Sequence, residues 1–283
     1  MIVTFLPTEQ LVKNVQLLQE QVQQIILVDN GSTVQACALL QTLEQAEHIT
    51  VLWNRENLGI ARALNQGLQR GIELGFQWLI TFDQDSTVTS GMVARLLQCF
   101  DSSSGNIAIA APCYVDRVLG TRLGEDRDVH GEVRTVLTSG MLMPAWLFSH
   151  VGFMDERLFI DSVDLEFCNR VRSHGYRLAQ IDDATLLHTL GRLTTFRLLG
   201  REFELTNHSA ARKYYQTRNR LWTLGMPKAR LTWWKQATHE FKGMIWDFAK
   251  ILMAEDDKWQ KTRRIGLGVV HAFFGKMGKR VEL

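Results

Sequence analysis

The sequence predicts an α/β fold: a mostly parallel central sheet flanked by helices, with a helical C-terminal extension. Three observations carry that expectation. Short apolar runs alternate with helical stretches over the first hundred residues, polar clusters close two of those runs, and the last third changes in character. The 283 residues are 46% hydrophobic and 22% charged. Those are globular values, and they exclude a disordered tail, a collagen and a disulfide-stapled mini-protein. The length suits two ordinary domains or one enlarged α/β domain.

The strands come first. Ile2–Leu6, Ile25–Asp29, Ile49–Trp53 and Trp78–Asp83 are rich in Val, Ile, Leu and aromatic residues, as buried parallel strands are. Between them Leu11–Gln21, Val34–Ala46 and Ile60–Leu74 place apolar residues at three- and four-residue spacing, the period of a helix with one buried face. A β-α-β-α-β-α-β order winds a parallel sheet right-handed and puts the ligand crevice at the carboxyl ends of its strands. Asp29-Asn30-Gly31-Ser32 and Asp83-Gln84-Asp85-Ser86 sit at two such ends, so two acidic turns share one sheet edge.

Further along, the uncharged stretch Thr135–Met154 is long enough for a membrane span, but Ser139-Gly140, Pro144 and Ser149-His150 interrupt it. It reads as a buried strand and turn entering a short helix. The rest of the middle third holds a charged loop, Asp116–Arg134, a helix from about Asp164 to His174, and a strand Arg177–Ile181 followed by an Asp182-Asp183 turn. The last third reads as helical. Five of the eight tryptophans lie there, Trp222, Trp233, Trp234, Trp246 and Trp259, interleaved with Lys and Arg.

Charge and cysteine narrow the class. The formal charge of +2 argues against a dedicated nucleic-acid binder, although residues 225–283 carry 12 basic against 6 acidic side chains. Cys37, Cys99, Cys113 and Cys168 form no C-x-x-C pair, which fits buried thiols in a reducing cytosol rather than zinc ligands or a disulfide framework. The N-terminus has no basic n-region or cleavage site, so no secretory signal is expected, and the interruptions of Thr135–Met154 leave no transmembrane helix expected.

Several residues carry chemistry. Two carboxylates in D-x-D, Asp83 and Asp85, at the end of an apolar strand can hold a hard divalent cation that completes its shell with phosphate and water; the plainer alternative is an acidic turn capping the next helix. Asp29 can accept a hydrogen bond from a ring N–H or a ribose hydroxyl, or else form an Asx-turn. In the run Asn54–Gly67, Gly59 and Ala61 allow close backbone approach, and Arg62 can pair with a phosphate. Asn65 and Gly67 weaken that helix by propensity, so something other than local stability keeps them, close helix–sheet packing being the plainer reading. Asp164 and Glu166 fall in the first turn of their helix, with Arg170 four residues after Glu166 and able to pair with it. A carboxylate there is either a partner of the helix dipole or, for Asp164, a general base. His188 is either a structural histidine or a further metal or diphosphate contact. Tyr214-Tyr215 with Arg212, Arg218 and Asn219 form a polar, aromatic helix face, whose plainer form is a helix packed on the core with solvated arginines.

Together these residues resemble glycosyltransferase family 2, inverting enzymes with the nucleotide-diphospho-sugar transferase (GT-A) fold, and within it the bacterial rhamnosyltransferases of O-antigen and exopolysaccharide synthesis. Ile2-Val-Thr-Phe-Leu-Pro7 is similar to the family's V-V-T-Y-N-P strand, with Leu6 where Asn is usual. Val28–Ser32, Asn54–Gly67, Phe82–Ser86, Thr138-Ser139-Gly140, Phe159–Glu166, His188-x-x-Gly191 and Arg212-x-Tyr-Tyr-x-x-Arg218-Asn219 follow in family order. The likeness covers about residues 1–225, and the tail only in character.

The resemblance implies a donor site of Thr4, Asp29, Asn57, Arg62, Asp83 and Asp85, with Asp29 at the base and Asp83 at the ribose or diphosphate. It implies Mg²⁺ or Mn²⁺ on Asp85, with His188 as a further ligand, and an acceptor site including Ser139, Gly140 and Glu166. The family's base lies six residues before an arginine, which here puts it at Asp164. Val163 replaces the glutamate that usually precedes that base, making Asp161 the second candidate. The implied reaction moves L-rhamnose from dTDP-β-L-rhamnose to a glycan hydroxyl, often lipid-linked. Another donor such as UDP-galactose, or an inactive nucleotide-sugar-binding subunit, are the alternatives. Residues 1–100 would be the nucleotide-sugar half, 101–210 the acceptor and catalytic half of the same domain, and 211–283 a helical region. In that region Trp with Lys and Arg suits either the inner face of the cytoplasmic membrane or a helical hairpin packed on this chain or on a second copy.

Overall fold

The computed structural model describes residues 1–102, 106–124, 126–127, 131–188, 194–198, 201–205, 207–225 and 233–282. Chain order begins with β1 (Ile2–Thr4), α1 (Glu9–Gln19), β2 (Ile25–Asn30), α2 (Val34–Leu43), β3 (Ile49–Asn54), α3 (Ile60–Glu73) and β4 (Trp78–Asp83), the predicted alternation. It continues with β5 (Thr87–Val88), α4 (Met92–Ser102), β6 (Ile107–Asp116), the short β7 (Asp126–Arg127) and β8 (Val133–Thr135), β9 (Met141–Pro144), α5 (Leu147–Val151), α6 (Val163–Ser173) and β10 (Arg177–His188). Two compact units result, one of Met1–Glu156 with Val163–Thr189, the other of Arg157–Ser162 with Leu190–Leu283.

The first unit is built on an eight-stranded sheet of order β3-β2-β1-β4-β9-β6-β10-β5. β1 pairs in parallel with β2 and β4, and β2 with β3. β9 runs antiparallel to both β4 and β6, while β10 is parallel to β6. All six residues of β2 are buried, as expected of a strand covered on both faces. Ile2, Ile25, Leu27, Val51, Phe82, Tyr114, Leu142 and Leu186 share one core with Leu11, Val15 and Leu18 of α1 and Leu96 of α4. Each such aliphatic side chain contributes about 1.5–3 kcal/mol on burial.

Helix α3 lies against the sheet through small residues. A Cβ on Gly67 would come 2.6 Å from Met1 Cε and 3.1 Å from Val28 Cγ2, so the glycine that propensity disfavours is required by close packing. Asn65, also unfavourable in a helix, is 4% exposed. Its amide donates to Met154 O at 3.0 Å and accepts from Met154 N at 2.9 Å.

The Thr135–Met154 stretch folds as predicted, with β9 and α5 inside it. Asp182-Asp183 differs from expectation. It forms no terminal turn but lies within the long β10, where the register with β6 shifts between Ile181 and Thr185. An irregularity there lets the strand resume pairing and carry His188 opposite Asp116.

The second unit contains a hairpin of β11 (Thr194–Leu198) and β12 (Arg201–Leu205), then α7 (Ala210–Leu224), α8 (Trp233–Ala254) and α9 (Lys258–Phe273). The three helices match the predicted helical tail, whereas the hairpin was not expected. Phe159, Tyr214, Tyr215 and Val281 form its small core. A buried ion network supports it: Glu255, 3% exposed, accepts from Lys213 at 3.2 Å and Lys261 at 2.9 Å. Among the described residues no helix is long and apolar enough to cross a membrane. Gly191 and Arg192, singled out in the sequence, lie outside the described residues, as do the side chains of Trp233 and Trp234.

Candidate active site

Parallel pairing gathers the predicted polar residues at one sheet edge. Thr4 on β1 is in register with Asp29 on β2, Val3 with Asp83 on β4, and Asn30 with Asn54 on β3. Asp29 is 1% exposed. Its Oδ2 accepts from the Gly31 and Ser32 amides at 3.2 and 3.0 Å, the Asx-turn foreseen in the sequence. Its Oδ1 is buried without a hydrogen-bond partner. An acceptor left in that state costs about 1–3 kcal/mol until a donor reaches it. Thr4 is fully buried and its hydroxyl donates to Val28 O at 3.4 Å.

The turn after β2 is pressed onto the loop after β3. Gly31 has φ +86°, and a Cβ there would lie 2.4 Å from the Glu56 carbonyl carbon. Asn57 stiffens the same loop, its Oδ1 accepting from Asn30 Nδ2 at 3.1 Å and from the Gly59 amide at 2.9 Å. Arg62, on the first turn of α3, is more than half exposed and faces Glu156 at 4.0 Å.

From Asp83 the chain crosses to the far side of the sheet, where β5 pairs with β10, Thr87 opposite Leu187. That crossing brings the D-x-D to His188. Ligand atoms of Asp83, Asp85 and His188 all lie within 4.8 Å of one another, with Asp83 and His188 half-buried and Asp85 exposed. The middle residue, Gln84, fastens the loop to β1: its Oε1 accepts from Phe5 N at 2.9 Å and its Nε2 donates to Phe5 O at 3.1 Å. Ser86 Oγ lies 2.9 Å from His188 Nδ1, leaving Nε2 as the ring's remaining ligand atom. Arg117 donates to Asp85 O at 2.7 Å and to the Thr87 hydroxyl. Nothing local marks Gln84 or Arg117 as part of the site, and Ser86 reads only as a helix cap, because their partners are far away along the chain.

Ser139, Gly140 and Glu166, expected at the acceptor, are all buried. Ser139 Oγ accepts from Asp83 N at 3.1 Å and donates to Ser86 Oγ at 2.7 Å, so it braces the D-x-D loop. Gly140 takes φ +82°, and a Cβ would meet Pro112 Cγ at 2.6 Å. Both Glu166 oxygens are held by Arg170, from Nε and Nη2 at 2.8 Å each, the i,i+4 pair foreseen in the sequence. Asp164, half-buried in the first turn of α6, accepts from the Leu165 amide at 2.8 Å.

In the second unit Asp161 pairs with Arg212, whose Nη2 and Nε approach its carboxylate at 3.2 and 3.3 Å. Arg218 corrects the expectation of solvated arginines, being 0% exposed. Its charge is met by the rings of Tyr214 and Tyr215, 5.4 and 4.9 Å from the guanidinium carbon, and by main-chain carbonyls.

Comparison with known proteins shows the family and the fold. The family model for glycosyl transferase family 2 matches residues 2–134. The chain is 30% identical to a dTDP-rhamnosyl transferase, RfbF, of Shigella flexneri, over 71% of each chain. It is 26% identical to a galactofuranosyltransferase, GlfT1, of Mycobacterium tuberculosis, over 98% of this chain and 96% of that one. The crystal structure of GalNAc-T7 with UDP, GalNAc and Mn²⁺ superposes with a TM-score of 0.57 at 15% identity, over 77% of this chain and 46% of that larger protein, a likeness of fold. With its acidic turns on the carboxyl edge of a GT-A sheet, the chain belongs to glycosyltransferase family 2 and is a nucleotide-sugar glycosyltransferase.

Proposed function

We propose that the enzyme transfers L-rhamnose from dTDP-β-L-rhamnose to a hydroxyl of a lipid-linked glycan, with inversion, in cell-surface polysaccharide synthesis such as that of O-antigen. The observation that carries the reading is the cluster of Asp83, Asp85 and His188 on the edge that also holds the unsatisfied Asp29 oxygen. Two carboxylates and an imidazole within 4.8 Å suit Mg²⁺ or Mn²⁺, with Asp85 and His188 as ligands. Bound there, the cation would act as a Lewis acid on the leaving diphosphate, worth several kcal/mol. The similarity to a dTDP-rhamnosyl transferase supports the donor.

In this reading Asp29 Oδ1 accepts the ring N–H of the donor's pyrimidine, Asp83 the ribose, and Arg62 pairs with a phosphate, with Thr4 and Asn57 shaping the pocket. Asp164 takes the proton of the acceptor hydroxyl as it attacks the anomeric carbon, Asp161 being the second candidate; a base of this kind contributes roughly 10²–10⁴-fold. Attack opposite the leaving diphosphate turns a β donor into an α-rhamnoside. Residues 1–100 serve the nucleotide sugar and 101–210 the acceptor, whose site includes Ser139, Gly140 and Glu166.

We assign residues 211–283 to peripheral contact with the inner leaflet of the cytoplasmic membrane. Trp259 is 79% exposed, Phe273 86% and Phe274 68%. Glu240 and Asp247 are paired with Arg220, and Glu255 with Lys213 and Lys261, so three of the acidic side chains of this region are neutralised by partners. An aromatic surface with basic residues suits anionic lipid. Release of membrane-bound enzyme by a high-salt wash supports this contact; a wholly soluble enzyme, or a homo-oligomer burying these rings, overturns it.

The likeness to a galactofuranosyltransferase favours a second reading in which the sugar is not rhamnose, for which a UDP-sugar is the donor to test. Thermal shift with dTDP, UDP and GDP, each with Mg²⁺, Mn²⁺ or EDTA, separates the two. Metal-dependent stabilisation by dTDP over UDP supports the rhamnosyl reading, and preference for UDP replaces it with the second. No response to any nucleotide would point to an inactive subunit. Asp164→Asn is expected to abolish transfer and keep donor binding, and Asp85→Ala to weaken donor binding in metal; full turnover by Asp164→Asn would move the base to Asp161.

A further inference from the structure

The residues between Glu156 and Val163 form a turn with unusual backbone. Phe159, Asp161 and Ser162 have φ of 64°, 63° and 64°. None is glycine, and a side chain in the left-handed region crowds its own carbonyl, so such residues persist only where their surroundings over-determine them. The turn belongs with the second unit, which supplies that surrounding.

Helix α7 reads the turn almost atom by atom. Asn219, fully buried, donates from Nδ2 to Leu158 O at 2.7 Å, Ile160 O at 2.7 Å and Asp161 O at 2.9 Å. Its Oδ1 accepts from Arg218 Nε at 2.9 Å, which fixes the amide orientation. Arg218 donates from Nη2 to Leu158 O at 3.1 Å and from Nη1 to Gly278 O at 2.6 Å. Phe159 is anchored on Tyr215, ring centroids 5.1 Å apart. Seven residues before Asn219, and so on the same helix face, Arg212 holds the Asp161 carboxylate at 3.2 Å. One helix therefore grips main-chain carbonyls, an aromatic ring and a carboxylate of a single short turn.

We propose that Arg218 and Asn219 are positioning residues whose task is to hold the 158–162 turn left-handed, fixing Asp161 and the chain that enters α6 two residues before Asp164. The proposal rests on the role given to Asp164 and Asp161 above. It assigns a purpose to the Arg218-Asn219 pair that packing alone does not: a buried amide whose three contacts from Nδ2 all go to carbonyls of the segment leading into the base, oriented by a buried guanidinium that also reaches Leu158 O.

The test uses the full-length enzyme and four proteins: wild type, Asn219→Ala, Ser162→Gly, and the double variant. Glycine takes positive φ without a side-chain clash, so Ser162→Gly removes part of the need for the clamp. Hydrogen–deuterium exchange of the 158–164 amides is read first, since it does not depend on activity. Asn219→Ala is expected to speed exchange there, and the double variant to slow it again. In steady state Asn219→Ala is expected to lower kcat about 10–100-fold, as misplacement of a reacting group does, with KM for the nucleotide sugar unchanged and partial recovery in the double variant. Unchanged exchange in Asn219→Ala, or a loss in kcat that Ser162→Gly does not relieve, overturns the clamp. Altered exchange with rescue but unchanged kcat keeps the clamp and instead removes the base from this segment, so the two ideas fail separately.

Discussion

Replacing Asn65 with alanine sets two physical effects against each other. Within an exposed helix the change would stabilise α3 by up to about 0.7 kcal/mol, because alanine is the better helix former. In the folded enzyme Asn65 is 4% exposed and bonds in both directions to Met154, with its amide also 3.0 Å from Glu156 Oε1. Alanine leaves the buried Met154 N–H and C=O without their partner, at about 1–3 kcal/mol for each group. The hydrogen-bond loss wins, and the net effect is a destabilisation of about 2–4 kcal/mol, the middle of the range these terms span. At roughly 2–4 °C per kcal/mol for a domain of this size, the melting temperature falls by about 4–16 °C. Differential scanning calorimetry of wild type and Asn65→Ala checks this, with urea unfolding as a second measure. An unchanged or higher melting temperature would refute the reasoning, since it would mean that helix propensity outweighs the anchor between α3 and Met154.

Three further outcomes follow from named contacts. Ser86→Ala removes the partner of His188 Nδ1 and should weaken Mn²⁺ binding about 10–100-fold by isothermal titration, as losses of such outer contacts do; unchanged affinity would detach His188 from the metal. Gly140→Ala must adopt φ +82° with its methyl 2.6 Å from Pro112 Cγ, and should cost about 2–5 kcal/mol in urea unfolding; a loss below about 1 kcal/mol would show that the turn yields. Burial raises the Cys168 thiol far above its ordinary range and Cys113 is buried as well, whereas Cys37 and Cys99 are half-buried. Native-state thiol titration should therefore label Cys37 and Cys99 first, and Cys168 only on unfolding.

The strands were legible because the signal was local: Ile25–Asn30 is apolar on both faces, and both faces are covered. The acidic turns were legible because strand ends place polar residues at a crevice. What escaped the sequence was imposed from a distance. The shift in β10 around Asp182-Asp183 is set by pairing with β6, and no local pattern marks it. Arg218 read as solvated because arginine usually is; its burial depends on tyrosine rings and carbonyls that only the folded second unit supplies. Gln84 read as a spacer between two aspartates and Ser86 as a helix cap, since their partners lie 79 and 102 residues away. Asn65 and Gly67 stand between these cases. Their unsuitability for a helix was visible, and the reason was not.

The crossing from β4 to β5 has a consequence for biosynthesis. β5 closes onto β10, and Ser86 meets His188 across a separation of 102 residues. A nascent chain that has emerged through its first hundred residues already holds β1 to β4, yet its D-x-D loop has no strand to close against. At about 5–20 residues per second, translation needs a further 5–20 s or so to supply it. Until then the proposed cluster of Asp83, Asp85 and His188 is incomplete, and on that proposal a ribosome-bound intermediate would be unable to capture a nucleotide sugar through it.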